Sequence, residues 1–472
     1  MKKLLVAALA VLIASPAFAA VQNVKVSGDI QSMFIDRQTF DLGARNAQGI
    51  QQGLFKQNVF AEQTRVRIDA DLTDNVSTTV RLINESAWGT DASDASNKAV
   101  DLDLAYVTLR EFLYSPLTVS IGRQEFIFGN GLIMGGGANN STSGHFNGVA
   151  NDLSKIDAQD GIKAVLDYKP LTISMFYIKN SQTIFQGALD SGVKSSSDVY
   201  GVNGNYQLGD AMNTVLESYL FARFNQTLTG GSTTTICTGG VCPDKGDKLY
   251  IPGLRVSTNP VKGLNVQGEL AWQLGQKTVG TTTQESEHRN AMAAQFMASY
   301  ALPVLEKYKP TVNASYTKVT GDKNRFANYG SDAVKSAKVY TAWDPMFENQ
   351  GGGTIYNTLF NLTDMNILSV GASVNPIQDV TTSLTWSNLS LDKKIRLGNT
   401  VAFLQPDGSS AGALVPTGRK DIGNELDLNG NYAYTEDVNF GVSLGWFVPG
   451  GTFTSANNSV AKQALAYVDV NF

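Results

Sequence analysis

The end of the chain, Val460 to Phe472, constrains the fold more than any other stretch. Counting back, Phe472, Val470, Val468, Ala466 and Ala464 share one face of an extended chain, and Asn471, Asp469, Tyr467 and Gln463 share the other. That is a period of two, the signature of a strand with one apolar and one polar face. Such a strand suits a wall with lipid outside and water inside. It cannot stand alone, so similar strands and an export signal should precede it.

The N-terminus supplies the signal. Lys2 and Lys3 precede an apolar run from Leu4 to Ala14, followed by Ser15-Pro16 and the small-residue triplet Ala17-Phe18-Ala19. We read residues 1–19 as a secretory leader cleaved before Ala20, and 20–472 as a single outer-membrane β-barrel domain. Taking two lysines from 37 basic residues leaves 35 against 42 acidic ones, a net charge of −7. A balance of that sign argues against nucleic acid as a partner. No linker, charge block or apolar run long enough for a helical span interrupts the chain, so one architecture must absorb all of it. Few charged residues (17%) and 45 glycines favour strands and turns over helices.

Strands come in pairs joined by short turns, and long polar loops separate the pairs. The pattern predicts Gln22 to Ile35, a loop from Asp36 to Asn58, then Phe60 to Leu72 and Val76 to Ala87 around Thr73-Asp74-Asn75. Val100 to Phe112 and Leu117 to Phe128 follow, then Asp160 to Tyr168 with Leu171 to Asn180, and Val199 to Leu208 with Asn213 to Gln226. Leu249 to Thr258 and Leu264 to Leu274 turn at Asn259-Pro260, and His288 to Leu302 precedes Thr311 to Thr320. Asn366 to Val374 and Val380 to Leu391 turn at Asn375-Pro376, and Ile422 to Tyr434 pairs with Val438 to Phe447. With the last strand the count is about 18, an even number that brings both chain ends to one side. The fold class expected is all-β: a transmembrane antiparallel β-barrel with short periplasmic turns and long extracellular loops. A large soluble sandwich or β-helix explains neither the polar inner faces nor the terminal aromatic residue.

A barrel of this size encloses an aqueous channel, so function should lie in lumen charges and in loops that narrow the mouth. The pore-lining candidates are Arg65, Arg67, Arg81, Arg123, Arg223, Arg255 and Arg289, with Asp69, Asp71, Glu85, Asp101, Asp103, Glu125, Glu217, Glu269, Glu425 and Asp427 as counter-charges. Opposed basic and acidic walls would set a transverse field; the plainer alternative is that they pair on the wall and keep it wet. The phase is ambiguous at Gly122, where Val119 and Ile121 share parity with Arg123 and Glu125, and a bulge would restore it.

Asp103-Leu104-Ala105-Tyr106-Val107, then Ile121-Gly122-Arg123-Gln124-Glu125-Phe126-Ile127-Phe128-Gly129-Asn130-Gly131, carry a resemblance. An Ala-Tyr strand followed by a Gly-Arg-Gln strand and a glycine-rich loop resembles the alginate-export porin family of bacterial outer-membrane barrels. Trp343-Asp344-Pro345-Met346-Phe347 with Gly351 to Gly353 is similar to a second loop of that family. The resemblance implies an 18-stranded barrel and passage of an anionic polysaccharide through an arginine-lined lumen. It departs in that the lumen here reads as mixed in charge. The terminal Phe472 likewise resembles the last residue of bacterial outer-membrane barrels, which implies the outer-membrane assembly machinery as a partner.

Other motifs carry no chemistry. Gly441-Val442-Ser443-Leu444-Gly445 matches the G-x-S-x-G pattern but lies inside a strand, where no strand-to-helix elbow can form. The glycines from Gly129 to Gly135 have the wrong spacing for a nucleotide loop and read as a flexible mouth loop, with folding into the lumen as the alternative. His145 and His288 have no local metal partner, and Asp91 to Asp94 lack EF-hand spacing. No catalytic group, metal site or cofactor is therefore expected. Cys237 and Cys242 share one external loop, where an oxidising environment favours a local disulfide.

The reading is a passive outer-membrane channel for polar or anionic solutes, with oligo- or polysaccharide among them, and not an enzyme. Outer-membrane lipid and small polar or anionic solutes are its expected partners, and homo-oligomerisation stays open. The alternative is a structural or surface-binding barrel whose loops, Gly321 to Thr363 and Lys393 to Lys420, plug the pore.

Overall fold

A sheet of two-faced strands leaves one face that lipid can cover, and it removes its unpaired edges by closing on itself. The computed structural model of the protein describes residues 23–43, 56–89, 99–136, 146, 149–182, 194–230, 241–242, 246–279, 285–322, 339–350, 352–395, 401–404, 410–414, 417–453 and 457–472. Among these residues the wall is a closed antiparallel barrel of 18 strands.

The strands are β1 (Asn23–Gln38), β2 (Lys56–Thr73), β3 (Val76–Ala87), β4 (Asp101–Leu109), β5 (Leu117–Gln124) and β6 (Gln159–Asp167). Then come β7 (Leu171–Gln182), β8 (Lys194–Gln207), β9 (Val215–Gly230), β10 (Asp247–Val261), β11 (Leu264–Val279) and β12 (Glu285–Ala301). The last six are β13 (Thr311–Val319), β14 (Met365–Ile377), β15 (Val380–Leu391), β16 (Asp421–Ala433), β17 (Val438–Pro449) and β18 (Ala461–Asn471). Each pairs antiparallel with its chain neighbour, and β18 returns to β1 from Asp29↔Asn471 to Gln38↔Lys462. Phe472 completes the seam, exchanging two backbone hydrogen bonds with Gly28 at 2.9 and 3.0 Å. A Cβ on Gly28 would lie 2.5 Å from the Phe472 ring, so only glycine leaves room there.

The outer face follows the predicted parity. On β11, Leu270 and Leu274 are exposed while Glu269 and Gln273 are buried inside. Aromatic side chains gather at both rims of the apolar band, as lipid interfaces favour. Tyr177, Tyr200, Phe224 and Tyr250 form a row across β7 to β10, with successive ring centroids 5.1, 5.8 and 5.6 Å apart. At the short-turn rim Tyr114 and Tyr168 are hydrogen-bonded at 3.1 Å, and Tyr432, Tyr434 and Phe440 form a cluster.

Several boundaries differ from the sequence reading. β1 runs on to Gln38 and β2 starts at Lys56, which draws Arg37 out of the expected loop and onto the wall. β5 stops at Gln124, not Phe128, so the glycine-rich segment leaves the wall early. Asn259-Pro260 and Asn375-Pro376 do not form the turns: the strands continue to Val261 and Ile377 with a register shift before each end. Proline lacks the N–H a ladder needs, and the register shifts accommodate it.

The barrel interior is filled by its own loops. Phe126, Leu132, Ile133 and Met134, with Trp343, Phe347, Ile355, Tyr356 and Leu359, form one buried cluster with wall residues such as Phe176, Phe221 and Ile251. Among the described residues the inward segments are 125–135, 149–158, 339–350 and 352–364, the last including a short helix α1 (Tyr356–Leu359). The expectation of a glycine-rich segment at the mouth is therefore corrected. Asn130 bonds Gln267 on β11 at 2.7 Å and Arg255 on β10 at 3.0 Å, inside the barrel.

Candidate functional site

Each charge on the inner wall must be hydrated or paired, because burying it alone costs several kcal/mol. The loops displace the water, so pairing does most of this work. Along β1 to β4, Arg65 bonds Asp29 at 2.8 Å and Arg67 bonds Asp69 at 2.7 Å. Arg81 reaches Asp103 and, at 2.5 Å, Glu125. Glu85 accepts from Gln63, Ser154 and the Lys155 N–H at 2.7–2.9 Å, which fixes the 149–158 segment. Asp71 lies half-buried near the short turn, and Asp101 is exposed at the opposite end of its strand.

Across the lumen, Arg223 makes a two-pronged contact with Asp344, and Arg289 bonds Asp247 at 2.7 Å with Asp344 3.6 Å away. Gln273 completes this clamp, donating to the Asp344 carbonyl at 2.6 Å and accepting from its N–H at 2.9 Å. Asp344 is largely buried, which opposes ionisation, but the guanidiniums of Arg223 and Arg289 override burial and hold its carboxyl at about 2. Arg255 bonds Glu217 at 3.0 Å, and Glu269 accepts from the Tyr219 hydroxyl at 2.6 Å. Glu425 accepts the N–H groups of Ile355 and Tyr356 at 2.9 and 2.6 Å, and Asp427 accepts from Thr354 at 2.6 Å. These two acids anchor the start of α1.

Arg123 is a correction. Its partners across the sheet are Ala105 and Asp160, in line with Ile121 and Ile162, which are 42% and 44% exposed. Arg123 and Asp160 therefore sit on the outer face at the end of β5, 3.6 Å apart. No register shift occurs between β4 and β5. Gly122 takes φ +129 within the ladder, and Glu125 comes inward because the strand has already ended. Parity assigned Arg123 to the lumen only by assuming a bulge that is not there.

Sequence reasoning missed the loop partners. Arg37, fully buried, bonds Gln463 at 2.6 Å and Asp152 at 2.6 and 3.0 Å. Lys155 reaches Asp29 at 3.0 Å, and Lys277 joins Arg289 on Asp247. Only Asp344 had a sequence signal, as part of the Trp-Asp-Pro segment. Cys237, His145 and Asp91 to Asp94 lie outside the described residues, and Cys242 is described only in its backbone. His288 is exposed at the start of β12, and Ser443 stays mid-strand on β17.

A cavity of about 470 Å³ remains between the wall of β11 to β15 and the 348–362 segment. The register stacks Gln295 beside Thr317, Met297 beside Ser315 and Ser299 beside Asn313, so their inner faces line one side. Gln295 and Gln350 exchange amide bonds at 2.8 and 2.9 Å, tying loop to wall. Glu348 is the one charged side chain among the described residues that line the cavity, and its burial pushes its carboxyl above the ordinary value.

A closed 18-stranded wall with a lipid-compatible exterior, short turns and inward loops defines the fold of a bacterial outer-membrane β-barrel. Residues 241–467 match the family described as Alginate export, which includes the Trp343 to Phe347 segment but not the Asp103 to Gly131 hairpin. The structure is similar to solved Pseudomonas aeruginosa barrels. OprD has 9% identity and a TM-score of 0.51, with 96% of each chain covered. OpdQ has 13% identity and a TM-score of 0.53, covering 96% of this chain and 98% of that one. The outer membrane protein opdK has 9% identity and a TM-score of 0.53, covering 96% and 99%. No curated protein matches the chain in sequence.

Proposed function

We propose that the barrel is a passive, narrow aqueous channel for polar solutes, constricted by its own inward loops. The observation that carries this reading is the pairing of the inner wall. Ion pairs and amide bonds fix three loop segments across the lumen, yet a cavity of about 470 Å³, lined by amides, hydroxyls and apolar side chains, stays unfilled between loop and wall. The alginate-export resemblance supports passage of a polysaccharide. Against an anionic one, each lumenal arginine among the described residues already holds a carboxylate. Export through the 1–19 leader and delivery to the assembly machinery through Phe472 belong to the same reading.

Reconstitution in planar bilayers tests it. Purified barrels should give discrete, small ohmic conductance steps in KCl. Removing the Asp344 clamp should enlarge them. Silence under both conditions would favour the second reading, a plugged structural barrel, which the apolar cluster of Phe126, Met134, Trp343 and Phe347 supports.

A further inference from the structure

The cavity beside α1 is chemically unlike the rest of the lumen. Where β1 to β4 and β9 to β12 carry ion pairs, the β12 to β15 side presents amides and hydroxyls. Some of these are already engaged, as in the Gln295–Gln350 pair. Ser299, Asn313, Ser315 and Asn357, which also line the cavity, make no side-chain hydrogen bond among the described residues. Hydroxyls and primary amides each offer both donor and acceptor atoms. They therefore match a ligand whose own groups both donate and accept, and they discriminate poorly for simple ions.

We infer that this cavity is a binding subsite for a neutral polyhydroxylated solute of saccharide type, held by Ser299, Asn313, Ser315 and Asn357. The inference rests on the channel reading for its place in transport, and it narrows the solute class. The size is suitable: about 470 Å³ falls in the usual range for small-molecule sites and equals roughly sixteen water volumes. Tyr356 and Phe360 line the same space and give apolar surface for the C–H faces of a sugar ring. An anionic sugar finds the opposite of what it needs. Among the described residues no lysine or arginine lines the cavity, and Glu348 is the only formal charge there. Burying a carboxylate without a cation is unfavourable.

Equilibrium binding tests this without depending on conduction. The full-length barrel is titrated calorimetrically in a detergent without a sugar headgroup, using maltotriose as the neutral probe and trigalacturonate as the anionic one. Maltotriose should bind, and trigalacturonate at least tenfold more weakly. In the double variant Asn313→Ala, Ser315→Ala, maltotriose affinity should fall at least fivefold while the heat-modifiable gel shift of the folded barrel is kept. Equal or tighter binding of trigalacturonate overturns the inference, and so does unchanged maltotriose affinity in the variant. Absence of maltotriose binding by a barrel that conducts KCl overturns the subsite and leaves the channel standing. Maltotriose binding by a barrel that does not conduct does the reverse.

Discussion

At the scale of single residues, the lumenal arginines among the described residues are tied to carboxylates, several of them on the inward loops. Asp344 shows how. It takes a two-pronged contact from Arg223 and lies 3.6 Å from Arg289, so one loop carboxylate joins two strands to the 339–350 segment. Its carboxyl is held at about 2, below the ordinary 3.8, so the stabilisation it gives is complete above pH 4 and is lost only as pH falls through about 2. Asp344→Asn should weaken the clamp by roughly 3 kcal/mol, since it leaves largely buried guanidinium unpaired. The expected readout is a larger single-channel conductance and a reversal potential shifted toward anions. Arg123 gives the contrasting case. It lies on the outer face beside Asp160, so Arg123→Ala should leave the reversal potential in asymmetric KCl unchanged.

At the scale of elements, strands and loops obey different rules. A wall strand needs alternation, and alternation is local, which is why β11 could be read residue by residue. An inward loop needs partners distant in sequence, and nothing in residues 125–135 or 339–364 announces them. The loop near Asp364 is sensitive to pH. Asp364 accepts the Lys393 N–H at 2.6 Å, and burial pushes its carboxyl up to about 7. The folded state thus keeps a proton that the unfolded chain loses near 3.8, and stability falls as pH rises between those values, then levels off. Asp157, raised to about 6 by burial and by Glu125 and Asp103, adds to the lower part of that window. Open-channel current noise from a loosening loop should therefore grow from pH 4 to 7 and stay flat above. In Asp364→Asn the increase between pH 6 and 7 should vanish.

At the scale of the whole molecule, closure is the step on which the rest depends. The seam joins β1 to β18, the first and last strands, and ends where the Phe472 ring passes over Gly28. Gly28→Val should lower the yield of heat-modifiable folded barrel several-fold, because a side chain cannot share that space; Gly430→Val, where a Cβ meets nothing within 4 Å, is the control. The sequence by itself determined the two-faced strands, their number and the seam, because each follows from alternation between near neighbours. It misplaced Arg123, since parity cannot tell a bulge from a strand that simply stops. Only the tertiary structure decided which acid meets which arginine, that the glycine-rich segment enters the lumen, and that a cavity lined by amides, hydroxyls and a single carboxyl among the described residues survives there. Those outcomes depend on groups brought together across the barrel, such as Asn130 with Gln267 and Arg37 with Asp152, and no local pattern encodes such distant contacts.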